Sequence, residues 1–234
     1  MKKTIFSVLL GCIFPIFALG QVNLQVHYDF GRDFYKSLGD RSRVTTTVEM
    51  FKADKYGSTF FFIDMDYGEE GITGAYWEIS RQLRFWKAPV AIHVEYDGGL
   101  NFINHAFLGG AAYNWNSEDF SKVFGIQVLY KYIVGNVSPH NFQLTATWTL
   151  HFDGGRYTFS GFMDFWREKH TDINGNGHDF VFLTEPQFWI NLDKFEKVSD
   201  DLHLSFGTEW EMSTDFATRD GFYFIPTLAV KWTF

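Results

Sequence analysis

The last thirteen residues, 222–234, read FYFIPTLAVKWTF. Phe222, Phe224, Leu228, Val230, Trp232 and Phe234 share one parity, and Tyr223, Thr227, Lys231 and Thr233 share the other. Strict alternation puts the two sets on opposite faces of one strand. In a soluble sheet the polar face looks to water. In a transmembrane barrel the apolar face meets lipid and the polar face lines the interior. The rest of the chain decides between these, because it repeats the pattern.

Twelve alternating segments follow one another, at 22–30, 43–52, 58–67, 74–85, 90–97, 106–115, 123–132, 142–152, 157–166, 180–192, 202–212 and 222–234. An even count of strands, most of them roughly 9–11 residues long, is the pattern of a bacterial outer-membrane barrel. The segment 142–152 is the cleanest, with Phe142, Leu144, Ala146, Trp148, Leu150 and Phe152 set against Gln143, Thr145, Thr147, Thr149 and His151. In 74–85 the residue Arg81 falls on the lipid parity, which predicts a place near an interface. In 180–192 the pattern changes at Glu185-Pro186. Proline cannot donate to a ladder, so a bulge with a change of parity is expected there.

With the amino terminus in the periplasm, the periplasmic turns fall at 53–57, 86–89, 116–122, 153–156 and 193–201. Asp153-Gly154-Gly155 is a tight hairpin signal. The outer connections are 31–42, 68–73, 98–105, 133–141, 167–179 and 213–221, none long enough to form a plug. The fold expected is all-β: one closed antiparallel barrel of twelve strands, with short periplasmic turns and moderate outer loops.

The beginning of the chain is different. Lys2 and Lys3 precede an apolar run from Ile5 to Leu19 that closes on Ala18-Leu19-Gly20. This is the layout of a cleaved signal peptide. The domains are therefore a signal at 1–20 and the barrel at 21–234. Cleavage would remove Cys12, the single cysteine, and with it any disulfide or thiolate metal site. Removing Lys2 and Lys3 from the 20 basic side chains leaves 18 against 28 acidic ones, a net charge of −10. That balance disfavours nucleic acid. Mean hydropathy is −0.14, with no helical span in it. Yet 20% of residues are aromatic, the amount that two interfacial girdles use.

The inward parity holds the candidate chemistry. Asp29, Glu49, Asp64, Asp66, Glu78, Glu95, Asp97, Asp164, Glu209 and Glu211 face Arg84, Lys131, Lys231 and the histidines 27, 93, 151 and 203. An acidic lining disfavours anions and admits neutral or cationic solutes. Phe60, Phe62, Trp166 and Trp189 offer stacking faces. Asp29, Glu49, Phe60, Phe62, Asp64, Glu78, Arg84, Trp189, Glu209 and Glu211 are the candidate solute-binding residues of the lumen. The alternative for each is a cross-barrel charge pair in a closed structural barrel whose loops bind a partner. His203-x-Ser205 with Glu209 has the order of a hydrolase triad, although this parity points inward, away from lipid. Asp172-Ile-Asn174-Gly-Asn176-Gly matches the first half of a calcium loop, but Leu183 stands where the bidentate Glu belongs. The other histidines lack metal-ligand spacing. No cofactor is expected.

Three stretches carry a family resemblance. Thr47-Val-Glu49-Met-Phe51-Lys-Ala-Asp-Lys, FFFIDMDY at 60–67 and Tyr76-Trp-Glu78-Ile-Ser-Arg resemble the Tsx-like nucleoside-specific channel-forming outer-membrane proteins. Phe162-Met-Asp164-Phe-Trp166 is similar to a later strand of that family. The aromatic end at Phe234 likewise resembles the insertion signal of outer-membrane proteins. The resemblance implies a monomeric twelve-stranded barrel in the outer membrane of a Gram-negative bacterium. It also implies passive passage of nucleosides or similar small polar solutes through a narrow lumen, with no enzymatic step.

Overall fold

The computed structural model describes residues 21–100 and 103–234. The expected signal segment, 1–20, lies outside the described residues. Thirteen strands form one antiparallel sheet: β1 (Gln21–Asp29), β2 (Val44–Asp54), β3 (Gly57–Gly68), β4 (Gly71–Leu83), β5 (Val90–Gly99), β6 (Ala106–Asn116), β7 (Lys122–Ile133), β8 (His140–Phe152), β9 (Tyr157–Thr171), β10 (Gly177–Thr184), β11 (Gln187–Asn191), β12 (Leu204–Thr214) and β13 (Phe222–Thr233). β1 pairs with β13 from Asn23↔Thr233 to Asp29↔Thr227, so the sheet closes on itself without an edge.

β10 and β11 are two halves of one stave, which makes twelve. Thr184 pairs with Met163 on β9 and Met212 on β12; three residues on, Gln187 pairs with Ser160 and Glu209. The register passes through Glu185-Pro186 unshifted, and the expected bulge and change of parity are absent there. Only ladder bonds are lost, because Pro186 has no N–H; its carbonyl still accepts from Trp210 at 2.9 Å. The shift on this stave lies between His178 and Phe180 instead.

The faces are those that lipid dictates. On β7, Phe124, Ile126, Val128 and Tyr130 are exposed, whereas Gln127, Leu129 and Lys131 are buried. Aromatic clusters ring the outside at two levels. Tyr56–Phe85–Trp86, Trp115–Phe124 and Trp232–Phe234 sit at the turn end. Tyr28–Phe30, Tyr96–Phe107 and Tyr130–His140 sit at the loop end. Such girdles mark the two membrane interfaces. Arg81 pairs with Asp54 at 2.7 Å beside the β2–β3 turn, at the turn-end rim as its parity required.

The turn at Asp153-Gly154-Gly155 takes φ values of 50°, 65° and 87°, the left-handed region in which glycine is free of strain. Several connections are shorter than expected. The 68–73 loop is a two-residue turn at Glu69-Glu70, and 167–179 contracts to 172–176 because β9 runs on to Thr171. The apolar alternation stops where the lipid stops, but ladder hydrogen bonding continues into water. A short helix, α1 (Gly31–Phe34), sits in the β1–β2 connection.

Candidate functional site

The barrel encloses a cavity of about 2500 Å³. Its lining runs from Gln21, Asn116 and His151 at the turn end to Asp29, Arg41 and Thr218 at the loop end. Single ligand pockets occupy roughly 300–1,000 Å³, so this is a lumen rather than a pocket. The wall has two chemically different sides.

The first side spans β2 to β5. Direct partners across these four strands are Glu49, Phe62, Glu78 and Asp97, one row of the lumen. Phe60, Phe62 and Tyr76 form a ladder of rings, with centroids 6.0 and 5.8 Å apart. The carboxylates around it hold neutral donors. Asn23 donates to Glu49 at 2.9 Å, Thr45 to Asp66 at 2.7 Å, Tyr76 to Glu78 at 2.6 Å, and Thr47 to Asp64. The partners of these four carboxylates are an amide and hydroxyls rather than cations. His93 contacts Glu95 at 2.9 Å, and Lys131 lies 3.7 Å from Asp97.

The second side spans β10 to β13 and β1, and at its mouth the acids are paired with arginines. Trp189 is fully buried, lies flat over Gly207, and carries the Lys231 ammonium 4.0 Å above its ring. A Cβ at Gly207 would come within 2.4 Å of that indole, so glycine is required here. The indole N–H donates to Gln187 at 2.9 Å, and Gln187 donates in turn to Glu209 at 2.6 Å. At the mouth, Arg41 binds Asp29 and Glu211, both at 2.8 Å, and Arg219 binds Glu211 at 2.5 Å. Burial draws the Arg41 guanidinium down, but Glu211 and Asp29 outweigh it and hold the group above its usual value.

The ten candidate residues thus fall into two groups and an outlier. Glu49, Phe60, Phe62, Asp64 and Glu78 share the first side. Asp29, Trp189, Glu209 and Glu211 share the second. Arg84 joins neither: it lies just past the end of β4, six residues and about 20 Å from Glu78, at the turn-end rim. Parity had placed it on the right face but could not give its height. Tyr76, Arg41 and Arg219 were missed by the sequence reading. Tyr76 could have been found, since it has the parity of Glu78. Arg41 and Arg219 sit on loops, where no period betrays them.

The hydrolase arrangement is not assembled. His203 adopts φ 47° in the turn before β12, with Nδ1 3.9 Å from Asp193. The Ser205 hydroxyl donates to Asn191 at 2.8 Å, and Glu209 is engaged by Gln187. The half calcium loop closes on itself. Asp172 accepts from the backbone N–H groups of Asn174 and Asn176, both at 2.8 Å, and contacts His178 at 3.1 Å.

A domain of unknown function, DUF5020, matches residues 21–234. The chain belongs to that family. No curated protein sequence matches it. Among solved structures, the DUF5020 barrel is similar to the NanC porin, at TM-score 0.57 and 9% identity, covering 90% of this chain and 98% of that one. It is also similar to the KdgM porin, solved in complex with disordered oligogalacturonate, at TM-score 0.51 and 9% identity over 92% and 99%. At this identity the likeness is one of fold. Together with the apolar belt and its girdles, that fold places the DUF5020 barrel in the outer membrane of a Gram-negative cell.

Proposed function

We propose that the DUF5020 barrel is a passive outer-membrane channel for small polar solutes, neutral or cationic, with nucleosides as the class it serves. The observation that carries the reading is the 2500 Å³ lumen, lined on one side by three aromatic rings among carboxylates held by neutral donors. A planar base stacks on such rings, and ribose hydroxyls donate to such carboxylates. The porin fold supports passage, and the resemblance of 47–55, 60–67 and 76–81 to Tsx-like channels supports nucleosides. An acidic wall opposes polyanions. The solute for which the KdgM structure is described, oligogalacturonate, is therefore not expected to pass here.

The channel inserts as a monomer after removal of 1–20, and no step of it is catalytic. Transport is not driven uphill, so the site binds weakly enough to release on the far side. One stack and one charged hydrogen bond fit millimolar affinity, about −4.1 kcal/mol. The test is swelling of proteoliposomes in matched nucleosides, neutral sugars and sugar acids. Nucleosides should enter fastest and saturate, and sugar acids should enter slowest. Equal entry of all three refutes the specificity, and entry of none refutes the channel.

A further inference from the structure

Glu78 on β4 and Glu95 and Asp97 on β5 each place an oxygen within 4.8 Å of the other two. The register builds the cluster, since Glu78 stands directly opposite Asp97, and Glu95 follows two residues along the same face. Two of the three have close partners: the Tyr76 hydroxyl donates to Glu78 at 2.6 Å, and His93 Nε2 meets Glu95 at 2.9 Å. Asp97 is less well served. Its side chain is 6% exposed, and Oδ1 is buried with no hydrogen-bond partner among the described residues. The other oxygen, Oδ2, lies 3.7 Å from Lys131 Nζ.

A buried carboxylate oxygen left unpaired is costly, and native structures seldom keep one without an ion or water on it. The groups that face the three carboxylates are the Lys131 ammonium beside Asp97, the His93 imidazole on Glu95 and the neutral Tyr76 phenol on Glu78. The donors are all oxygen, which selects a hard cation. Calcium accepts irregular oxygen sets of varied number, whereas magnesium demands near-ideal octahedral geometry and keeps most of its waters, so three carboxylates fixed in a strand wall favour calcium.

We propose that Glu78, Glu95 and Asp97 form a calcium site in the lumen wall, one edge of the Phe60–Phe62–Tyr76 ladder. The site goes beyond the channel reading and does not depend on it, because a closed barrel would bind calcium equally.

The experiment is calorimetric titration of the chelator-stripped, detergent-folded full chain with calcium chloride. Wild type should bind calcium, and Glu95→Gln/Asp97→Asn should weaken the affinity by at least about tenfold, since affinity follows ligand charge. Asp172→Asn/Asp220→Asn, which removes the other oxygen-rich cluster at the loop end, should leave that affinity intact. Folding of each variant is read from heat-modifiable gel migration. If the double variant does not fold, the single variant Glu95→Gln carries the same comparison. Calcium should also raise the melting temperature of wild type and not of the lumen variant. No calcium heat in wild type overturns the proposal and leaves a shared proton or a solute ammonium as the balancing charge. Binding lost in the Asp172/Asp220 variant, and kept in the Glu95/Asp97 variant, also overturns it.

Discussion

The two sides of the lumen hold most of their acids differently, with Glu209, on an amide, and Asp97, beside Lys131, as exceptions. On β2 to β5, Glu49, Asp64, Asp66 and Glu78 are satisfied by an amide and by hydroxyls. On the far side, Asp29 and Glu211 are satisfied by the guanidinium groups of Arg41 and Arg219. A neutral donor fills a lone pair and supplies no counter-charge. A guanidinium fills the lone pairs and cancels the charge as well, which turns the carboxylate into scaffold. Hydrogen bonding and charge compensation are separate properties, and the β2–β5 wall and the arginine-lined mouth differ in the second.

The contrast is tested most severely by stability. Glu211→Ala leaves Arg219, 9% exposed, without a counter-charge, the situation that costs about 3–5 kcal/mol when one partner of a buried pair is removed. The temperature at which the folded gel band converts should fall sharply. Glu78→Gln in chelator removes one of several like charges and keeps an acceptor for Tyr76, so that temperature should hold or rise. Comparable losses in both would mean that the two sides do not differ.

Ion selectivity is the next largest effect. Asp64→Asn/Glu78→Gln should lower the cation-to-anion permeability ratio several-fold, read as the zero-current potential in a salt gradient. Lys231→Met, on the second side above Trp189, should shift it less and in the opposite direction. A ratio near unity in wild type would show that the acids of the first side are neutralised after all. Phe62→Ala follows. Losing one stacking partner is worth about 0.5–1.5 kcal/mol, so half-saturation by adenosine or thymidine should rise roughly two- to tenfold. Flux of a non-aromatic solute of the same size should be nearly unchanged.

The staves were legible because lipid enforces a parity that loops and propensities cannot override. Phe142 to Phe152 reads as a strand with no further information. The reading failed at 180–192 for a physical reason. Val181, Leu183 and Trp189 are apolar yet face inward, and Trp166, beside Val181 on β9, is covered by Phe216 from the β12–β13 loop. An apolar residue on the lumen face costs little where another side chain covers it, so the alternation looked reversed when it was not. Height was illegible for another reason: parity has period two and no origin, so Glu78 and Arg84 look alike at opposite levels. Which acids are neutralised was least legible of all, because Arg41 and Arg219 reach the wall from loops.

The smallest effect concerns how the second side keeps its loop in place. The β12–β13 loop, which delivers Phe216 and Arg219 to the mouth, is tied to the 172–176 turn. Ile173 N–H donates to Thr218 at 3.0 Å, and His178 stands between Asp172 at 3.1 Å, Asp215 at 3.3 Å and Asp220 at 3.9 Å, with His170 stacked against it. Burial pushes the Asp172 carboxyl up. The bonds from His178 and from the Asn176 and Asn174 N–H groups prevail and bring it to about 2, below its ordinary 3.8. A carboxyl lowered by folding stabilises the folded form fully above its unfolded value. It gives that stability up as pH falls from about 4 toward 2. Hydrogen-exchange protection of the Asn174 and Asn176 amides, corrected for intrinsic rate, should therefore hold down to pH 4 and decline below it. In Asp172→Asn protection should be low at every pH, with a modest rise in conductance flicker as the Arg219 loop loosens. The global melting temperature should stay nearly constant, since the ladder of the barrel is untouched. A variant with full protection at neutral pH would show that the turn is held by its backbone alone and that the loop needs no carboxylate to stay docked.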